Sequence, residues 1–155
     1  MTIAQPSIYI IKRGMYVSGG LPDLYESDDQ YLSILAGFTI TSNEPPVWVE
    51  IEGTAPLSTP SQLMFTCEAH INSPGMVIQT ITLFNYTTGN YEIFDSRTAT
   101  LTDQVVTVTL TNAAVHYIHP ETKQMKAQYM WKQTGPTAMF PWEISIDESN
   151  WAVWY

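Results

Sequence analysis

The feature that most constrains this chain is the alternation of apolar and polar residues in short runs, broken by Gly, Pro, Asn, Asp and Ser. Between Leu63 and Ala69, the residues Leu63, Phe65, Cys67 and Ala69 fall on one side, and Met64, Thr66 and Glu68 on the other. Successive side chains of an extended strand point to opposite faces, so this pattern fits a sheet with one buried side. In a helix the apolar positions would instead recur every three to four residues. The same reading covers Ser7 to Lys12, Met15 to Val17, Tyr31 to Leu35, Val47 to Ile51, Val77 to Tyr86 and Tyr91 to Phe94. It extends to Gln104 to Leu110, Gln124 to Lys132, Trp142 to Ile146 and Trp151 to Trp154. Gly14, inside the first stretch, marks a bulge or a change of sheet. Thr87-Thr88-Gly89-Asn90 is a Gly-containing connection of the kind that closes a hairpin. Asn112 to His119 has room for a helical turn, which Pro120 ends. Asn43 to Pro46, Ala55 to Pro60 and Gly135 to Pro141 read as loops. Short strands at this spacing predict an all-β antiparallel sandwich or barrel, residues 7–155 forming a single domain behind an N-terminal arm, residues 1–6.

A chain of 155 residues, 45% hydrophobic and only 14% charged, can bury a core of its own and is not disordered. Six Lys and Arg against 15 Asp and Glu leave a charge of −9, which excludes the electrostatic footprint of a nucleic-acid or anionic-membrane binder. The single Cys67 excludes an intrachain disulfide, and its place in the alternation puts it in the core. No apolar run reaches the ~18 residues of a membrane span, so no membrane insertion is expected. Met1 to Pro6 lacks the basic and apolar regions of a secretory signal. Low Lys content with abundant Thr, Asn, Tyr and Trp nevertheless suits an exterior surface. A phage structural protein, released by lysis, reconciles the two.

Several short motifs occur in a fixed order: Gly19-Gly20-Leu21, Asp23-Leu24, Ser27-Asp28-Asp29, Glu52-Gly53-Thr54, Leu83-Phe84-Asn85-Tyr86 with Gly89, Asp95 with Arg97, and Ile146-Asp147 with Trp151. In these the chain resembles an uncharacterised β-sandwich module of large extracellular proteins from planctomycetes and other environmental bacteria. The resemblance runs from about Ser7 to the end. It implies a jelly-roll-like sandwich serving as an accessory module, with no catalytic residues to carry over.

The densest acidic stretch offers Asp23, Glu26, Asp28 and Asp29, an oxygen-rich loop that suits calcium, and Asp147 and Glu148 could join it if the first and last strands are neighbours. The plainer alternative is a solvated turn organised by Asp28 or Asp29. His116 and His119 with Glu121 lack a second pair to complete a zinc site and read as ordinary loop histidines. Arg97 is expected to clamp Asp95. Trp131 and Trp151 alternate correctly for the core, whereas Tyr16, Tyr25, Trp154 and Tyr155 are expected to meet a partner or ligand. No nucleophile elbow or triad is present, so no enzyme is expected. The sequence favours a non-enzymatic structural module on a virion or other extracellular surface. Such a phage cement protein would attach to a protein lattice or a homo-oligomer, a trimer being one form. The alternative is a carbohydrate-binding module of a secreted bacterial protein, with polysaccharide as partner.

Overall fold

In the computed structural model, which describes residues 1–39, 41, 43–73, 75–134 and 141–155, period-two segments become strands of two antiparallel sheets. The strands are β1 (Thr2–Ala4), β2 (Pro6–Arg13), β3 (Met15–Ser18), β4 (Leu32–Leu35), β5 (Val47–Thr54) and β6 (Gln62–Ile71). They continue with β7 (Val77–Asn85), β8 (Asn90–Thr98), β9 (Gln104–Leu110), β10 (Gln124–Gln133) and β11 (Glu143–Trp154). Sheet A has the order β3-β4-β11-β6-β9, with β1 also on β11; sheet B has the order β2-β5-β10-β7-β8. No α-helix occurs among the described residues; the helical content is two 3-10 turns, Leu21–Leu24 and Ala114–Tyr117. The architecture is a single jelly-roll sandwich.

The inward positions are those that alternation selects. Leu63, Phe65, Cys67 and Ala69 of β6 and Met125, Ala127, Tyr129 and Trp131 of β10 are all buried. An aromatic column links the sheets, with ring centroids 4.9 Å apart for Phe65 and Trp151, 5.6 Å for Phe65 and Tyr129, and 5.7 Å for Tyr129 and Trp131. The Tyr129 hydroxyl meets the Ser149 hydroxyl within this layer, so the polar tip of a wholly buried ring keeps a partner. Gly53 makes the column possible, since a Cβ there would lie 2.7 Å from Cζ3 of Trp151. Burial pushes the Cys67 thiol up to about 12, in keeping with its expected place in the core.

Two expectations are corrected. Residues 1–6 are not an arm outside the domain: Thr2–Ala4 pairs with Val153–Trp151, and β2 already begins at Pro6. Three residues are too short a stretch for periodicity to register. Trp142 to Ile146 and Trp151 to Trp154 are not separate strands but the two ends of β11, which runs through a register shift between Ile146 and Glu148. That bulge sets Asp147 out of the regular alternation. The helical turn expected within 112–119 is found as a 3-10 turn at Ala114–Tyr117. The loop expected at Gly135–Pro141 lies, but for Pro141, outside the described residues. The hairpin at Thr87–Asn90 joins β7 to β8 as expected, with Gly89 at φ +73°.

Candidate functional site

Positions that alternate with the core of sheet B point away from it, and there the sequence has placed polar and aromatic side chains in register. One row crosses all five strands: Ile10, Glu50, Gln128, Thr82 and Ile93. Its middle is buried and its ends are not. Glu50 and Gln128 are each 5% exposed and Thr82 3%, against 41% for Ile10 and 69% for Ile93. A neighbouring row begins Ile8, Glu52, Lys126, and Phe84 and Tyr91 face each other on β7 and β8. On the other side lies a row of Arg13, Trp48, Met130, Thr80 and Ser96. At ~4.8 Å between strands the face is about 19 Å wide. It is a shallow groove with a polar floor and apolar rims.

The floor is held by two linked networks. Glu50 accepts hydrogen bonds from the Tyr91 hydroxyl and from Nε2 of Gln128 at 3.0 Å, and pairs with Lys12 at 3.7 Å. Glu52 accepts from Nε2 of Gln124 at 2.7 Å and pairs with Lys126 at 3.4 Å, and Oε1 of Gln124 accepts from Tyr86 at 3.2 Å. Burial alone would raise the Glu50 carboxyl, but the Tyr91 and Gln128 hydrogen bonds and the Lys12 and Lys126 charges outweigh it and hold it below the usual carboxylate range. Tyr91 and Tyr86 are pushed up by burial, then by the charges of Glu50 and Glu52, so both stay protonated donors. The aromatic rings stand beside these groups: Phe84 contacts Tyr86 and Tyr91 edge-on at 4.9 and 5.0 Å, with Lys126 over Phe84 and Lys12 over Trp48. Oγ1 of Thr82 and Nε1 of Trp48 are cut off from solvent with no hydrogen-bond partner among the described residues. Below the groove, a depression of about 260 Å³ is lined by Ile8, Glu52, Thr54, Thr122 and Gln124.

None of the aromatic residues singled out in the sequence lies in this groove. Tyr16 is on the edge strand β3, opposite Ile34, which is itself opposite Ile144. Trp154 is ten residues further along β11, about 30 Å away at ~3.3 Å per residue. Tyr25 follows the first 3-10 turn, and the Tyr155 hydroxyl meets Thr2. The four do not form one surface. Trp48 and Tyr91, which do border the groove, had a signal of their own: outward positions beside Glu50 and Glu52, or across from Phe84, in strands whose inward faces are apolar.

The acidic residues are partly gathered. Carboxylate oxygens of Asp29, Asp103 and Asp147 lie within 4.8 Å of one another. Asp147 accepts from the backbone N–H groups of Asp28 and Asp29 at 3.2 and 3.3 Å, as expected if the last strand joined this loop. Burial raises its pKa against those two hydrogen bonds, and the charges of Asp103 and Asp28 add to the rise. Asp23 is instead engaged with the backbone of Gly20 at 2.7 Å, and Asp28 with Gln30 at 3.1 Å, the turn-building roles of the plainer alternative. His116 meets Thr87, while His119 accepts from the backbone of Glu121 and Thr122, so the two serve different turns. Arg97 clamps Asp95 through two hydrogen bonds of 2.6 and 2.7 Å, as expected.

No protein-family model and no curated protein matches the chain. Solved structures do. TmCBM61, a carbohydrate-binding module in complex with β-1,4-galactotriose, superposes with a TM-score of 0.54 at 13% identity, over 96% of this chain and 90% of that one. The cleaved adhesin domain of Lys-gingipain from Porphyromonas gingivalis gives 0.51 at 12% identity, over 96% and 92%. The carbohydrate-binding and catalytic modules of a Clostridium thermocellum xylanase, complexed with xylohexaose, give 0.50 at 8% identity, over 96% of this chain and 25% of that one. At such identities the likeness is one of fold: this chain has the sandwich on which those modules are built.

Proposed function

We propose that the chain is a non-catalytic carbohydrate-binding module of an extracellular protein, and that the outward face of sheet B holds the polysaccharide. The observation that carries this reading is the buried polar floor of Glu50, Gln128 and Thr82 between exposed apolar rims. Polar groups on an outward sheet face ordinarily reach into water. Here they are fixed to one another, so a sugar hydroxyl that replaces water meets donors and acceptors already oriented, and little ordering cost remains at binding. Glu50 and Glu52 accept, Gln128 and Lys126 donate, and the Tyr91 oxygen, its proton given to Glu50, accepts. Flat faces of Trp48 and Tyr91 cover the C–H surface of a sugar ring. The fold shared with sugar-binding modules supports the same reading.

It replaces the first expectation from sequence, a phage cement protein. The named structures that share the fold are sugar-binding modules and an adhesin domain, and a glycan ligand requires neither lattice nor trimer. The test is affinity electrophoresis through gels containing β-1,4-galactan, xylan, mixed-linkage glucan or an acidic polysaccharide. Retardation by at least one of them, lost in Tyr91→Ala and Trp48→Ala and kept in Tyr16→Ala and Tyr155→Ala, is the expected result. Free migration through all of them, or retardation that only Tyr155→Ala removes, would overturn it.

A further inference from the structure

A strand at the end of a sheet turns a row of backbone N–H and C=O groups away from its one neighbour, and another strand can pair with them. In this sandwich all such edges but one are blunted. β1 and β3 have only three and four residues, and β3 slips register against β4 between Tyr16 and Ser18. β2 starts at Pro6, carries Lys12 and Arg13, and shifts register twice against β5. β8 carries Glu92, Asp95 and Arg97 and shifts once against β7. β9, at the end of sheet A, has none of these features. Its seven residues, Gln104 to Leu110, hold no charge, proline or glycine, and the five from Val105 to Thr109 are β-branched. It keeps register with β6 over its whole length, β6 is its only strand partner among the described residues, and Val105 is 53% exposed.

With a charge of −9 on each copy, a contact between copies needs a surface that carries no charge, and β9 is one. It is also self-complementary. We propose that β9 pairs antiparallel with β9 of a second copy about a two-fold axis at Thr107, joining two copies of sheet A into one continuous sheet. In that register Val106 faces Val108 of the second copy and the inward sides stay in line, whereas a slip of one residue would set inward side chains against outward ones. Outward, Thr66 and Thr107 meet the same two residues of the second copy, a row of four threonines. The next row reads Glu68 and Val105, then Thr109 and Met64 of the second copy, so no carboxylate faces another. At ~4.8 Å between strands and ~3.3 Å per residue the two Glu68 residues lie about 20 Å apart, well beyond a Debye length of ~10 Å. Pairing along this edge leaves the outward face of sheet B open, so the dimer presents that face twice.

The test is sedimentation velocity from micromolar to near-millimolar protein, at ~0.1 M and ~1 M NaCl. A single strand pair covers less than the ~800 Å² per partner of a standard interface, so a reversible dimer with a Kd in the micromolar range or above is expected, and salt should not loosen it. Thr107→Lys sets two ammonium groups side by side on the axis and should weaken the dimer about tenfold at the lower salt. Thr98→Lys, an equally exposed change on the β8 edge, should leave it intact. A chain that stays monomeric throughout overturns the proposal and leaves the edge to a strand of a different protein. So does a dimer that Thr107→Lys leaves intact or that Thr98→Lys dissolves. Should Thr107→Lys not fold, hydrogen exchange of the wild type decides: backbone amides within Gln104–Leu110 that slow as protein concentration rises support the pairing, and rates independent of concentration refute it.

Discussion

Tyr91→Phe removes a single hydroxyl from the groove and leaves its ring in place. That hydroxyl donates to Glu50, a carboxylate 5% exposed that keeps Gln128 and Lys12 as its remaining partners. A hydrogen bond to a charged group contributes about 1.5–3 kcal/mol, and the lower end applies because Glu50 stays partly paired and Tyr91 is only half-buried. Unfolding entropy near 2.1 cal/mol/K per residue gives about 0.3 kcal/mol/K for the whole chain, so a loss of ~1.5 kcal/mol lowers Tm by about 5 °C at pH 7. The pH dependence is the sharper part. The Glu50 carboxyl is held below its unfolded value, so the stability it contributes is present above that value and is lost as pH falls through the folded one. In strong acid both proteins carry a neutral Glu50, and the gap between them should shrink to that of an ordinary neutral hydrogen bond. Differential scanning calorimetry at pH 7 and at successively lower pH, to the lowest at which both proteins still fold, measures both gaps. Equal Tm values at pH 7, or a gap that does not narrow on the way down, would refute the role assigned to the Tyr91–Glu50 contact.

Other outcomes follow from the packing. Gly53→Ala drives a methyl to within 2.7 Å of the buried Trp151 ring and should cost about 1–3 kcal/mol by overpacking, read as a Tm loss of roughly 3–9 °C. Gly89→Ala meets open space but must hold φ +73°, so its loss should be about 1 kcal/mol and come from backbone strain alone. Cys67, wholly buried with its thiol pushed up to about 12, should react with a thiol reagent only as fast as the chain unfolds, and rapid labelling under native conditions would contradict its inward placement.

Strand positions and core faces were legible because alternation is a local property: the inward residues of β6 and β10 can be read from ten consecutive letters each. The groove was not legible in the same way. In the run Trp48-Val49-Glu50-Ile51-Glu52, alternation points Trp48, Glu50 and Glu52 outward, which by itself means toward solvent. What buries Glu50 is Tyr91, 41 residues later, and Gln128, 78 residues later, delivered by β8 and β10. The acidic site divides similarly. Asp29 stands out within its loop and Asp147 could be guessed from a meeting of chain ends, but nothing near Asp103 in the sequence connects it to either. The bulge that releases Asp147 from the alternation also interrupts the period by which β11 would have been read as one strand.

The central claim, that the outward face of sheet B binds a polysaccharide, is tested most directly by mapping a ligand onto the folded chain. In a 1H–15N chemical-shift titration with an oligosaccharide from the polysaccharide that retards the protein most, the account predicts saturable shifts at the Trp48 and Gln128 side-chain N–H groups. It also predicts shifts at the backbone amides around Glu50, Thr82, Tyr91 and Lys126, with the outward face of sheet A unchanged. Shifts gathered instead around Tyr16, Tyr25 or Tyr155, or spread evenly over both sheets, would contradict it.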